Sequence, residues 1–217
     1  MTDPLSVTDR SRLRRTHERG HFDRKTIYQV LDAMPLCHVG YIMGGAPVVI
    51  PTLQWREKDT IYWHGSAASR SLRAGEGQQV SLTVSLLDGF VLARSGFHHS
   101  VNYRSAMLFG QAEKVEDPDE KIEKLNNLVD AYFPGRAGYV RAITAQEAKA
   151  TTILRMPIEE GSAKIRTGGP VDDEEDYGLP IWAGVVPASI VLGSAEPDPR
   201  NLPGVDAPDH LRKIRLG

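Results

Sequence analysis

The hydrophobic period of this chain changes once and abruptly. Ile27, Val30, Leu31 and Met34 recur at i, i+3, i+4 and i+7, the spacing of one helix face, until Pro35 stops the run, and Asp23 is placed to cap its start. Beyond Pro35 the apolar residues alternate, which predicts strands over 37–43 and 47–53 joined through Gly44-Gly45, a dipeptide suited to a tight hairpin. Further strands are read at 60–64, 80–86, 90–93 and 107–115. A chain patterned this way packs one short helix against a meander of mostly antiparallel strands.

A second helix starts at Asp117, with Pro118 at its first position and Glu120 set to complete a capping-box-like pair. Its stripe is Ile122, Leu125, Val129 and Tyr132, and Pro134-Gly135 ends it. Residues 144–150 add a short helix, 152–158 and 181–186 two more strands, and the acidic run 172–176 reads as a solvated loop. The fold class is therefore mainly β with peripheral α helices, closed as a barrel. Residues 1–20 are polar and aperiodic, and 194–217 hold Pro197, Pro199, Pro203 and Pro208. These segments read as a flexible arm and a Pro-rich tail around one domain, 21–193.

Composition excludes several classes. With 26 Lys+Arg against 28 Asp+Glu the formal charge is −2, so the basic footprint of a nucleic-acid or anionic-membrane binder is missing. No window approaches the ~20 apolar residues of a membrane span, and no apolar signal core follows the N-terminal charges. Cys37 is a lone cysteine and needs no oxidising compartment. A cytoplasmic protein is expected.

Among motifs, His17-Glu18-Arg19-Gly20-His21 matches the HExxH zinc signature. It lies before the first helix, contains a helix-disfavouring glycine and follows Arg10, Arg12, Arg14 and Arg15, so no metal site is assigned. His98-His99 would point to opposite faces of a strand. Neither GxSxG nor a GxGxxG after a strand occurs. Two polar segments remain. Ser66, Ser69 and Arg70, in the turn after Tyr62-Trp63-His64-Gly65, would gather hydroxyls and a guanidinium at a helix start, either as a phosphate site or as an ordinary capped helix. Ser100-Val101-Asn102-Tyr103-Arg104-Ser105 would, if extended, present Asn102 and Arg104 on one side and Tyr103 and Ser105 on the other.

In this order, Cys37-His38-Val39-Gly40, Val49-Ile50-Pro51-Thr52, Tyr62-Trp63-His64-Gly65-Ser66, the 100–105 segment and Trp182-Ala183-Gly184-Val185-Val186-Pro187 resemble the pyridoxamine 5'-phosphate oxidase-like flavoproteins. The branch is the one that includes the nitroimidazole-resistance proteins, and the similarity spans residues 18–190. It implies an FMN-binding split β-barrel working as a homodimer, with flavins in clefts between subunits. The phosphate would lie at His64, Gly65, Ser66, Ser69 and Arg70. Val49, Ile50, Pro51 and Thr52 would run along the ring, Asn102, Tyr103 and Ser105 would orient it, and Trp182 would pack on it from the partner. The C-terminal substrate pattern of true pyridoxamine 5'-phosphate oxidases is absent, which disfavours vitamin B6 oxidation. The expected activity passes electrons from NAD(P)H through FMN to a small electron-poor acceptor such as a nitroaromatic or quinone, with His64 as a candidate proton donor. Two other readings are a non-catalytic flavin binder and a haem-binding member of the barrel superfamily, using His64, His98 or His99 as axial ligand.

Overall fold

Asp23 starts the first helix as its position implies. Its carboxylate accepts from Thr26 N at 2.8 Å, and α1 (Arg24–Asp32) turns Ile27, Val30 and Leu31 into the core. The computed structural model describes residues 4–214 and 216–217. Ten strands form one sheet, with every strand pairing antiparallel: β1 (Gly20–His21), β2 (Leu36–Met43), β3 (Ala46–Glu57), β4 (Thr60–Ser66), β5 (Gln79–Leu92), β6 (Ser100–Gln111), β7 (Glu113–Lys114), β8 (Thr151–Pro157), β9 (Glu160–Arg166) and β10 (Gly184–Pro187). Their order is β1-β9-β6-β5-β2-β3-β4-β8-β7, with β10 on the far half of β5. Three more helices, α2 (Arg70–Gly75), α3 (Pro118–Tyr132) and α4 (Ala145–Ala150), lie at the periphery.

Local signals place most of these elements. Gly44 and Gly45 have φ of 61° and 82°, the left-handed pair that a two-residue hairpin between β2 and β3 requires. Asp117 caps α3 through Glu120 N at 2.7 Å. Thr144 and Glu147 cap α4 reciprocally.

The structure departs from the predicted strands in four places. The two pieces at 80–86 and 90–93 are one 14-residue strand, β5, whose alternation shifts at a bulge between Leu87 and Gly89. A Cβ at Gly89 would stand 2.9 Å from the Val186 carbonyl, so the glycine lets β10 pair there. The strand expected at 107–115 begins at Ser100, which makes the polar segment part of β6. The strand at 181–186 shortens to Gly184–Pro187. β9 has no counterpart in the sequence reading because its buried residues Gly161, Ser162 and Ala163 are small.

The main core lies inside the barrel around Leu31, Val39, Leu82, Leu108 and Met156. A second cluster, Trp55, Tyr62, Val115, Leu125, Leu128 and Ile153, sits under α3. Buried Gln54 links helix and sheet: its Nε2 donates to Leu31 O at 2.7 Å and Met34 O at 2.8 Å, covering carbonyls that the end of α1 leaves unpaired.

The terminal segments lie against the barrel. Leu5 is 2% exposed, and Arg10 holds Glu160 through Nε at 2.7 Å and Nη2 at 2.5 Å. At the other end Gly217 N donates to Ala33 O at 2.9 Å, and His210 meets the Tyr139 ring edge-on. The acidic run is not wholly solvated. Asp172 is buried and accepts from Arg94 N at 2.9 Å and Nη1 at 3.0 Å, while Glu174–Gly178 form a 3-10 turn.

Candidate functional site

Alternation along β3 divides the predicted residues between two surfaces. Ile50 and Thr52 point inward and, with His64 and Gly65 of β4 and Ser69 before α2, line a cleft of about 200 Å³ that Trp63, Ser71 and Leu72 complete. Ser69 also acts as the helix cap, accepting from Leu72 N at 3.4 Å. Ser66 and Arg70 are exposed in the same turn, where Ser66 Oγ accepts from Ala68 N at 3.2 Å. The capped-helix reading of this turn is seen in Ser69, and Arg70 is exposed at the first position of α2.

Val49 and Pro51 point the other way, onto the outer face of the sheet. By register they align with Gly40 and His38 of β2, and through these with Ser81 and Thr83 of β5. Tyr103 and Ser105 of β6 continue the same face opposite Leu87 and Ser85. The face carries exposed Leu36, Ile42, Val49, Leu53, Leu87 and Met107, and its alternate positions over 36–42 on β2, 47–53 on β3, 79–87 on β5 and 101–111 on β6 include no Lys, Arg, Asp or Glu. Trp182 is 69% exposed just ahead of β10. Asn102 is on the opposite side and buried. Its Oδ1 accepts from Arg166 Nη1 at 2.5 Å and its Nδ2 donates to Gly168 O at 3.0 Å. The amide that the resemblance directs at the ring is engaged within its own subunit.

His64 borders a second space. A cavity of about 960 Å³ lies between β3, α3 and the C-terminal segment, walled by Leu53, Leu128, Tyr132, Phe133, Leu211 and Ile214, and His64 is its one imidazole among the described residues. The Tyr132 hydroxyl is already donated to the Gln54 carbonyl. His64 Nδ1 is buried without a hydrogen-bond partner among the described residues. Burial holds the ring below the ordinary imidazole range, so it is neutral at pH 7. The neutral form is the one that binds a metal through its free ring nitrogen.

No other histidine lines this space, although His210, set between the lining residues Pro208 and Leu211, also has a buried Nε2 without a hydrogen-bond partner among the described residues. His98 Nε2 faces Asp173 at 3.4 Å, and His99 Nδ1 lies 2.8 Å from Ser95 O. His17 and His21 fall on a 3-10 turn and on β1, not on a shared helix face. Burial pushes the Cys37 thiol up to about 12, so it stays protonated. The walls supplied by Tyr132, Phe133 and residues 192–216 were missed by sequence reasoning. Their one sequence signal is the apolar Leu211, Ile214 and Leu216 in an otherwise polar tail.

A ten-stranded antiparallel sheet with peripheral helices and a β3–β4–α2 cleft defines a flavin-binding split-barrel fold. The family model of pyridoxamine 5'-phosphate oxidase matches residues 23–165, and the chain belongs to that family. It is 48% identical to the flavocytochrome Anf3 from Azotobacter vinelandii, covering 99% of this chain and 100% of that one with a TM-score of 0.94. It is 36% identical to the FAD and haem binding protein from Mycobacterium smegmatis, covering 91% and 98% with a TM-score of 0.87. A 5-nitroimidazole antibiotic resistance protein from Bacteroides thetaiotaomicron shares the fold, at 23% identity, 67% and 86% coverage and a TM-score of 0.56. The curated proteins yield no match to this chain.

Proposed function

We propose that this protein is a homodimeric redox protein that holds both a flavin and a haem, with His64 as the axial ligand of the iron. One observation carries the haem assignment: a half-buried imidazole, held neutral by desolvation and with a buried, unpaired Nδ1, stands on the wall of a large, mostly apolar cavity. The donor set fits the group, since haem proteins bind iron through a neutral histidine and exclude water with apolar walls. The similarity to a flavocytochrome and to an FAD and haem binding protein supports the same reading.

For the flavin, Ser66, Ser69 and Arg70 would hold a phosphate, with Gly65 allowing close backbone approach and Ile50 and Thr52 lining the cleft. Val49, Pro51, Tyr103, Ser105 and Trp182 would meet the ring on the uncharged outer face, which a second copy would cover. The resemblance implies FMN; the FAD and haem binding protein bears on FAD instead. Bound flavin and haem supply the electron transfer, and the chain positions them and keeps water away. NAD(P)H is the proposed electron source and a small electron-poor molecule the acceptor.

The absorption spectrum of the purified protein tests this reading, with flavin bands and a Soret band expected together. His64→Ala should lose the Soret band, retain the flavin bands and regain haem absorbance when free imidazole is added. A Soret band unchanged in His64→Ala removes His64 as ligand. Stopped-flow mixing with NADH or NADPH should bleach the flavin faster than it bleaches free flavin.

A further inference from the structure

Away from the cleft, Arg166 at the end of β9 is 8% exposed, yet among the described residues no carboxylate pairs with it. Its hydrogen-bond partners among the described residues are neutral: Nη1 donates to Asn102 Oδ1 at 2.5 Å and Nη2 to Gly169 O at 3.3 Å. A guanidinium has five N–H donors, so further donors remain beside those two bonds. Burying a cation without a counter-charge is costly, and Asn102, itself tied to Gly168 O, fixes this one in place.

Arg166 opens onto a space of about 470 Å³ between β9, the loop after it and the N-terminal segment. Arg19 and His21 line the same space, and the Arg19 guanidinium raises its positive charge. Its one carboxylate, Glu18, lies 3.6 Å from Arg19 Nε. The loop there reads Thr167-Gly168-Gly169. A Cβ at either glycine would meet nothing within 4 Å, so a ligand can approach the backbone.

We propose that this pocket binds the diphosphate of a nucleotide, with Arg166 and Arg19 each taking one phosphate and Thr167 adding a hydroxyl. Two guanidiniums match two phosphates, and planar forks suit phosphate oxygens. The proposal rests on and deepens the flavoprotein reading: with the flavin phosphate at Arg70, the diphosphate here would be that of the nicotinamide dinucleotide.

Calorimetric titration of the protein with ADP, pyrophosphate and adenosine tests it, on the protein as purified and after flavin removal. ADP and pyrophosphate should bind, and adenosine should bind at least tenfold more weakly. Arg19→Met, at a partly exposed position, should weaken ADP about tenfold or more, and Arg166→Met should do the same where its melting curve shows it folded. Arg70→Ala should leave ADP affinity unchanged. NADH should compete with ADP and lose affinity likewise in Arg19→Met, while FMN and FAD keep theirs; Arg19→Met that weakens FAD and spares NADH overturns the assignment to the nicotinamide dinucleotide. ADP binding that is absent from both preparations, unaltered in Arg19→Met or lost in Arg70→Ala overturns the pocket. Colourless protein that still binds ADP keeps the pocket and sinks the flavin reading, so the two failures are distinguishable.

Discussion

His64 is one residue with two surroundings, and its titration follows from them. Burial depresses its pKa below the ordinary 6.5, so on acidification the unfolded chain takes up a proton before the folded chain does. Its contribution to stability is whole above the unfolded value and drains away as the pH falls from there to the lowered folded value. In cofactor-free protein the urea midpoint should fall between pH 7.5 and 5.5, and His64→Gln should flatten that fall; an identical fall in both would exclude His64 as its source. Arg70 offers a separate check at the same scale. Arg70→Ala should weaken flavin binding by about 1.5–3 kcal/mol in a fluorescence titration, the worth of a charge-assisted phosphate contact. Both residues were legible in the sequence because they flank one strand-to-turn segment. The cavity beside His64 was not, since Tyr132 and Leu211 reach it from far along the chain.

Elements bounded by local chemistry were legible; those shaped by distant partners were not. Asp23, Asp117 and Thr144 announce their helices because each caps a backbone N–H three residues on. β9 stayed hidden because Gly161, Ser162 and Ala163 bury a strand without bulky side chains. β5 read as two strands because a bulge moves its period by one. Gln54 shows the same limit: a polar residue in β3 whose value lies in closing the end of α1. Gln54→Leu leaves the Leu31 and Met34 carbonyls without that donor and should cost about 1–3 kcal/mol in denaturant unfolding. A cost near zero would mean that those carbonyls find other donors.

At the scale of the whole molecule, the uncharged outer face is the main unsatisfied surface. Four strands expose leucine, isoleucine, valine and methionine there with no lysine, arginine or carboxylate between them, the surface that the proposed dimer would cover. Val49→Glu would bury a charge in that interface. If the protein is the proposed dimer, light scattering should find the wild type dimeric and Val49→Glu monomeric with lower flavin retention; a Val49→Glu dimer would move the interface elsewhere. The fold class followed from the sequence because alternation and turn chemistry repeat in every hairpin. The assembly rested on resemblance, because an exposed alternating strand reads the same with or without a partner.

The wall formed by residues 192–216 has one consequence for traffic. Among its described residues it contains a single 3-10 turn and no strand, so it can swing outward while every rung of the barrel ladder stays made. A bulky guest could thus be admitted or surrendered through a door hung on an intact frame. Backbone amides in that door should trade hydrogen for deuterium far sooner than those of β5 and β6.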